Sequence, residues 1–100
     1  MASRAHVVID TPHLILVQVD HRPADSFSRS VIPTATRQWK RAVNRSTSTR
    51  FTAYAFAVDG LGTGGLTMAD TCVSFAAFAP SFDLARDALD RHTESLRATA

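Results

Sequence analysis

The residues of this chain that are best suited to bind a charged ligand are basic and lie close together, between Arg29 and Arg50. Within that stretch, residues 34–45 have the periodicity of a helix, with apolar residues on one face and basic residues on the other. No acid occurs between Asp25 and Asp59, so no local carboxylate neutralises the basic face. Cations spaced along a helix can follow a phosphate backbone or another anionic surface. The predicted partner-binding or anion-binding residues are therefore Arg37, Lys40, Arg41 and Arg45, with Arg29 and Arg50 flanking them.

The opposite face of this helix is apolar and is expected to pack on the core; it holds Ala35, Trp39, Ala42 and Val43. Trp39 is interpreted as a core anchor rather than a stacking platform for nucleic-acid bases, because it lies opposite the arginines. The apolar face is narrow and mostly alanine, which argues against binding at a membrane surface. The alternative to a binding site is a solvated outer helix face, which is common in small proteins.

A glycine-rich segment, Gly60 to Gly65, matches the pattern G-x-G-x-x-G and follows a candidate strand. Dinucleotide binding would require this loop to open a helix, followed by a second parallel strand with an acid near its end. The segment that follows instead has a strand pattern, and only one helix remains after it. A loop that connects two strands is the better interpretation, so we expect no bound cofactor.

Side chains that could hold a metal or carry catalysis are few, and their spacing is unfavourable. The four histidines are His6, His13, His21 and His92. None forms the tight pair typical of a metal site, and Cys72 has no second cysteine beside it, so no metal is expected. The histidines are predicted to be exposed, and Cys72 to be a buried, inert thiol in an apolar strand. The sequence therefore does not predict an enzyme.

The composition is that of one packed domain covering residues 1–100, with 45% apolar and 20% charged residues. Residues 1–50 carry seven Arg and one Lys against three Asp, a net charge of +5, whereas residues 51–100 have a net charge of −3. Such polarity can steer an anionic partner or pair two copies. One cysteine, no signal-peptide pattern and no long apolar run indicate a cytoplasmic protein that does not enter a membrane.

Short β-branched or alternating segments predict a mostly antiparallel sheet of about four strands. These segments are His6–Ile9, Leu14–Val19, Arg50–Val58 and Thr71–Ala79. The first two are read as a hairpin, with one long strand bulged at Pro12 as the alternative. A helix over residues 66–79 competes with the last strand. The segment Asp20 to Pro33 is polar, contains two prolines and is predicted to be a loop.

Pro80 ends the preceding strand, and Ser81 is a favourable N-cap for a helix. Phe82 to Arg97 is predicted to be that helix. Its apolar stripe is Phe82, Ala85, Leu89 and Leu96, widened by Ala88. The resulting order is ββαββα, which predicts a small α+β domain with both helices on one face of the sheet. The other face would then be left for water or for a second copy.

The sequence is that of a small domain and contains no set of residues spaced for catalysis. This favours a binding role. The first hypothesis is a non-enzymatic interaction module that regulates or inhibits a macromolecular partner, expected to be a homodimer. The alternative is a nucleic-acid-binding protein that uses the basic helix 34–45. A small enzyme that uses Cys72 or a histidine is a third hypothesis, with no support from spacing.

Overall fold

The chain begins with a β-hairpin in the computed structural model, which describes residues 4–21, 31–46, 53–59 and 72–99, with side chains described in 4–21, 31–43 and 73–96. Strand β1 is Arg4–Thr11, and strand β2 is Leu14–His21, paired antiparallel to it. At the turn, Oγ1 of Thr11 accepts from the His13 N–H at 3.3 Å and donates to the Leu14 carbonyl at 3.1 Å. The hairpin prediction is confirmed against the alternative of one long strand.

Strand β1 contains a bulge between Val7 and Ile9. Val7 is opposite Val17, and Ile9 is opposite Leu16, so Val8 is the extra residue. Simple alternation would place Ile9 on the same face as Ala5 and Val7. The bulge instead brings Ile9 to the other face, because it reverses the parity of the residues that follow it.

Strand β4, Cys72–Ala79, lies beside β2 and is antiparallel to it, so these residues form a strand rather than a helix. Strand β3, Ala53–Asp59, pairs antiparallel with the other edge of β4. The strand order across the sheet is β1-β2-β4-β3. The central position of β4 explains its composition: Val73 to Ala79 are all buried, as expected for a strand with both faces covered.

Helix α1 spans Ile32–Ser46, and helix α2 spans Phe82–Thr99. Helix α1 starts earlier than the predicted Thr34, because Pro33 fits the first helical turn, where its missing N–H needs no partner. The predicted loop up to Pro33 is therefore too long; Val31 is already buried in the core. At the start of α2, the Leu84 N–H donates to Ser81 Oγ at 3.2 Å, which confirms the N-cap.

The two helices lie on opposite faces of the sheet, so the prediction that both cover one face is wrong. Helix α1 stacks Trp39 on Phe78, with ring centroids 5.1 Å apart and planes 9° apart. Helix α2 places the His92 ring edge-on to Phe75 at 4.9 Å. Phe75 and Phe78 are three positions apart in a regular strand, and such residues point to opposite faces. Phe75 and Phe78 are both buried, so both faces of β4 are covered.

The α+β class, the antiparallel sheet and the two helices are confirmed. Helix α1 contacts β1 and β2, whereas α2 contacts mainly β3 and β4. The α2 side of the β1–β2 half of the sheet therefore has little helical cover. Neither of the described helices has the length and apolar content needed to cross a membrane.

Candidate functional site

The basic face of α1, defined by Arg37, Lys40 and Arg41, is exposed to solvent. Its position follows from the apolar stripe on the other side: Ala35 and Ala42 are fully buried. Arg45 belongs to the same helix, whereas Arg29 and Arg50 lie outside the described residues. The structure thus brings three of the six predicted residues onto one outer surface, with no acid in the sequence of α1.

Trp39 anchors α1, as predicted, and carries one uncompensated polar atom. Its ring packs on the core and on Phe78. Its Nε1 atom is buried and has no hydrogen-bond partner among the described residues. A buried donor without a partner costs free energy, of order 1–3 kcal/mol. The ring therefore stabilises the protein through apolar area and stacking, and it is not available to stack on a nucleic-acid base.

The outer side of α2 carries the opposite charge. Asp83, Asp87, Asp90 and Glu94 are exposed there, and we call these four residues the acidic strip. Arg86 and Arg91 flank the strip and are also exposed. Arg91 Nη2 lies 3.2 Å from Asp87 Oδ2, a helical i,i+4 pair whose side chains are 80% and 58% exposed. An exposed pair of this kind is weak, and the described outer surface of α2 remains net negative.

An apolar groove of about 430 Å³ lies between α2 and the tip of the hairpin. Its apolar lining and floor are Ile9, Leu14, Ala79, Leu84, Ala88 and the ring of His92. Its polar rim is His13, Asp87 and Arg91. The groove is on the α2 face, because Ala79 shares a strand face with Phe75 and the bulge places Ile9 on that side. A volume in this range can accept part of a ligand or a few partner side chains.

Large apolar side chains of α2 remain exposed, and one of them, Leu84, lines the groove. Leu84 is 56% exposed and Phe82 is 52% exposed, although Ala85 and Leu89 on the same helix are buried. The predicted stripe is therefore wrong at Phe82, and also at Leu96, which is 37% exposed. Leu84 lies off the stripe altogether, and this was the sequence signal for an additional apolar surface.

The four histidines differ in how exposed they are to solvent. His6 and His13 are exposed, as predicted, but His21 is only 6% exposed, and His92 is half-buried. Burial lowers the pKa of His92 below its ordinary value of 6.5. His92 is therefore expected to be neutral near pH 7, which suits its position against Phe75 and in the groove. The prediction that all four are ordinary exposed histidines is wrong for His21 and His92.

A serine–histidine pair lies on the α1 side of the sheet. His21 Nε2 and Ser74 Oγ are joined by a hydrogen bond of 2.7 Å. A histidine can activate a serine hydroxyl as a nucleophile. Ser74, however, is completely buried in the central strand, so its oxygen cannot reach a substrate. The pair therefore acts as an internal hydrogen bond that satisfies two buried polar groups.

Residues 4–21, 31–46, 53–59 and 72–99 contain no group of three or more His, Cys, Asp or Glu side chains that could hold a metal ion. The Gly60–Gly65 loop of the nucleotide hypothesis falls outside these ranges. Comparison with protein-family models, with curated proteins and with solved structures yields no significant match. The surfaces described above are therefore the basis for assigning a function.

Proposed function

We propose that this chain is a cytoplasmic, non-enzymatic interaction module, a single ββαββα domain with a sheet of about four strands, that regulates or inhibits a macromolecular partner. The observation that carries the proposal is an apolar groove lined on α2 by Leu84, which is more than half exposed. Apolar surface rimmed by charged residues is typical of a protein-binding site. The buried state of the Ser74–His21 pair supports a binding role over a catalytic one.

The proposal includes self-association into a homodimer, since a chain of 100 residues buries a modest core. A contact between the basic face of one copy and the acidic strip of another would be head-to-tail, because these surfaces lie on opposite sides of the sheet. Head-to-tail contacts extend into chains or rings and do not close as a two-fold dimer. The homodimer is therefore expected to use another surface, such as the outer edge of β1.

The experiment that tests the proposal is affinity capture from a lysate of the encoding organism, followed by binding measurements with the purified captured protein. The wild-type chain is compared with a variant neutralised on the acidic strip (Asp87→Asn, Asp90→Asn, Glu94→Gln) and with the exposed control His6→Gln. A partner that binds both wild type and control at micromolar or better affinity supports the proposal. Capture no different from that of the empty matrix contradicts it.

A second candidate function is nucleic-acid binding through the basic face of α1. It is favoured by three exposed cations on one helical surface with no acid in that helix. Neutralising phosphates releases counterions, so log affinity would fall with log salt, by about 0.9 for each phosphate contact. The test is fluorescence anisotropy of labelled mixed-sequence DNA and RNA at low and near-physiological salt.

The matched variants for this test are Arg37/Lys40/Arg41/Arg45→Ala on α1 and Asp87/Asp90/Glu94→Ala on α2. Binding that weakens with salt, is lost in the α1 variant and is retained in the α2 variant would make nucleic-acid binding the leading function. Flat anisotropy at both salt concentrations eliminates it.

A further inference from the structure

The α2 face of the β1–β2 half of the sheet has two ends with different chemistry. At the open end of the hairpin, this face presents polar side chains, among them Gln18 and Asp20, whose Nε2 and Oδ1 atoms form a hydrogen bond of 3.1 Å. At the tip of the hairpin, the same face presents Ile9 and Leu14, which line the groove. All four of these side chains are partly exposed, so this face is polar at one end and apolar at the other, beside α2. The groove is thus a localised apolar site with polar surroundings.

An acidic depression of about 410 Å³ lies on the outer side of α2 and shares lining residues with the groove. Asp87, Asp90 and Glu94 line this depression, and Asp87 also lines the groove, as does Arg91. Arg91 is paired with Asp87, so Asp90 and Glu94 give the depression its net negative charge. A partner that fills both sites must therefore offer apolar side chains next to positive charge.

A second copy of this chain does not meet that requirement. Two copies related by a two-fold axis at the groove would place one acidic strip beside the other, which like-charge repulsion disfavours. The basic face of α1 has the right charge for the depression, but the apolar side chains of α1 are committed to its own core. Ala35 and Ala42 are fully buried, and Trp39 is stacked on Phe78. Neither arrangement fills the groove.

From these contacts and charges we infer that the groove binds a basic amphipathic segment of a different protein, with apolar side chains against Ile9, Leu14, Leu84 and Ala88 and Lys or Arg over Asp90 and Glu94. This inference rests on the proposed function and names its partner surface. The recognition mode is that of an amphipathic helix laid in an apolar groove, in which apolar anchors supply affinity and flanking charges fix orientation. Leu84 is the central anchor on this chain, because it lines the groove and is the most exposed large apolar side chain among the described residues.

The test uses a synthetic leucine/lysine amphipathic helical peptide as the probe and methyl and amide NMR spectra of the full chain as the readout. Two control peptides separate the requirements: one replaces lysine by glutamate, and the other replaces leucine by serine. We expect saturable shifts at Ile9, Leu14, Leu84 and Ala88 with the leucine/lysine peptide and at least tenfold weaker binding of both control peptides. Shifts confined to other residues, equal binding of the glutamate peptide, or no shifts at all would overturn the inference.

Variants locate the contact independently. Leu84→Ser is expected to weaken peptide binding about tenfold or more, as loss of one buried leucine would. Phe82→Ser is the matched control, because Phe82 is also an exposed apolar residue of α2, 52% exposed, and lies outside the groove lining. Its affinity should stay within about twofold of wild type. Equal loss in both variants would overturn the inference, since it would indicate non-specific adsorption.

The same variants distinguish failure of this inference from failure of the proposed function. If Leu84→Ser still captures the proteins that wild type captures, the interaction module stands and the groove is not its binding site. If wild type captures nothing, the proposed function itself fails. A monomer–dimer equilibrium, measured by analytical ultracentrifugation, that is abolished by Leu84→Ser would assign the groove to a second copy and overturn the inference.

Discussion

Helices α1 and α2 each lay an apolar stripe on the sheet, but they differ in what they leave on the outside. Helix α1 buries Ala35 and Ala42 completely and exposes Arg37, Lys40 and Arg41. Helix α2 buries Ala85 and Leu89 and leaves Leu84 more than half exposed. The difference indicates that α1 contributes to stability and charge, whereas α2 contributes to stability and also offers apolar contact area. Stability and binding should therefore respond differently to substitutions on the two sides.

The largest expected contrast is between truncating Trp39 and truncating Leu84. Trp39→Ala removes a ring stacked on Phe78 and should cost about 3 kcal/mol of unfolding free energy. Leu84→Ala removes exposed surface and should change the free energy by less than about 0.5 kcal/mol. Urea denaturation of both variants measures the difference. Equal losses of unfolding free energy would show that Leu84 is part of the folded core. The two helices would then not differ in what their outer residues contribute to stability.

The buried hydrogen bond between β2 and β4 is expected to have the next largest effect. Ser74→Ala removes the hydroxyl that His21 Nε2 contacts at 2.7 Å, at a site closed to water. The expected loss is about 1–3 kcal/mol, since a buried polar group loses a partner. Denaturation midpoints of Ser74→Ala and of the control Thr11→Ala, whose hydroxyl lies in the exposed turn, provide the measurement. A neutral result for Ser74→Ala would mean that His21 finds another acceptor or donor on the α1 side.

A smaller effect is expected from pH on the α2 side, because burial lowers the pKa of His92 below 6.5. Between that lowered pKa and 6.5, the unfolded chain binds more protons than the folded one. The unfolding free energy should therefore fall as the pH drops through this window and stay constant, as far as His92 is concerned, above it. Denaturation of wild type, His92→Gln and the exposed control His6→Gln from about pH 7.5 to about pH 5 tests this.

In that series, only His92→Gln should flatten the pH dependence just below 6.5. A flattening in His6→Gln instead would assign the effect to the exposed hairpin and contradict the role of burial.

The smallest expected effect is that of the exposed ion pair on α2. Asp87→Asn should reduce stability by no more than about 0.5 kcal/mol, because both side chains are mostly exposed and the pair is a single i,i+4 contact. Thermal denaturation at low and high salt measures the difference, which should shrink as salt rises. A loss that is large and independent of salt would show that Asp87 has a structural role in the groove rim.

The elements that could be predicted from the sequence are those whose signals are local. The hairpin follows from two β-branched runs around a proline-containing turn, and the start of α2 follows from Ser81, whose hydroxyl caps the helix. The buried face of α1 follows from spacing, since its apolar residues have no other side of the helix to occupy. In each case the residues that carry the signal are within a few positions of one another.

The sequence of β4 also carries information about which faces the helices cover, but this information lies in a strand and not in the helices themselves. Strand β4 is apolar at positions of both parities, with Phe75 on one face and Phe78 on the other. An apolar run of this kind is typical of a strand that is covered on both faces. The prediction of both helices on one face rests on the order of the elements alone and does not use this pattern. Counting both aromatics would have required cover on each side.

The groove could not be predicted, because it depends on residues far apart in the chain. The bulge at Val8 turns Ile9 toward α2, and a one-residue change of register is invisible in a run of four consecutive residues rich in β-branched side chains. The burial of His21 likewise depends on pairing with β4, more than fifty positions away, as its contact with Ser74 shows.

The sequence by itself determined the α+β class, the antiparallel pairing of the hairpin, the two helices, and the separation of basic from acidic character between the two halves of the chain. Only the tertiary structure decided which face each helix covers, which side chains line the groove, and which histidines are buried. The physical reason is the range of the interactions. Periodicity, capping and turn chemistry act over a few residues, whereas burial is a property of packing between strands and helices that the chain connects through long segments.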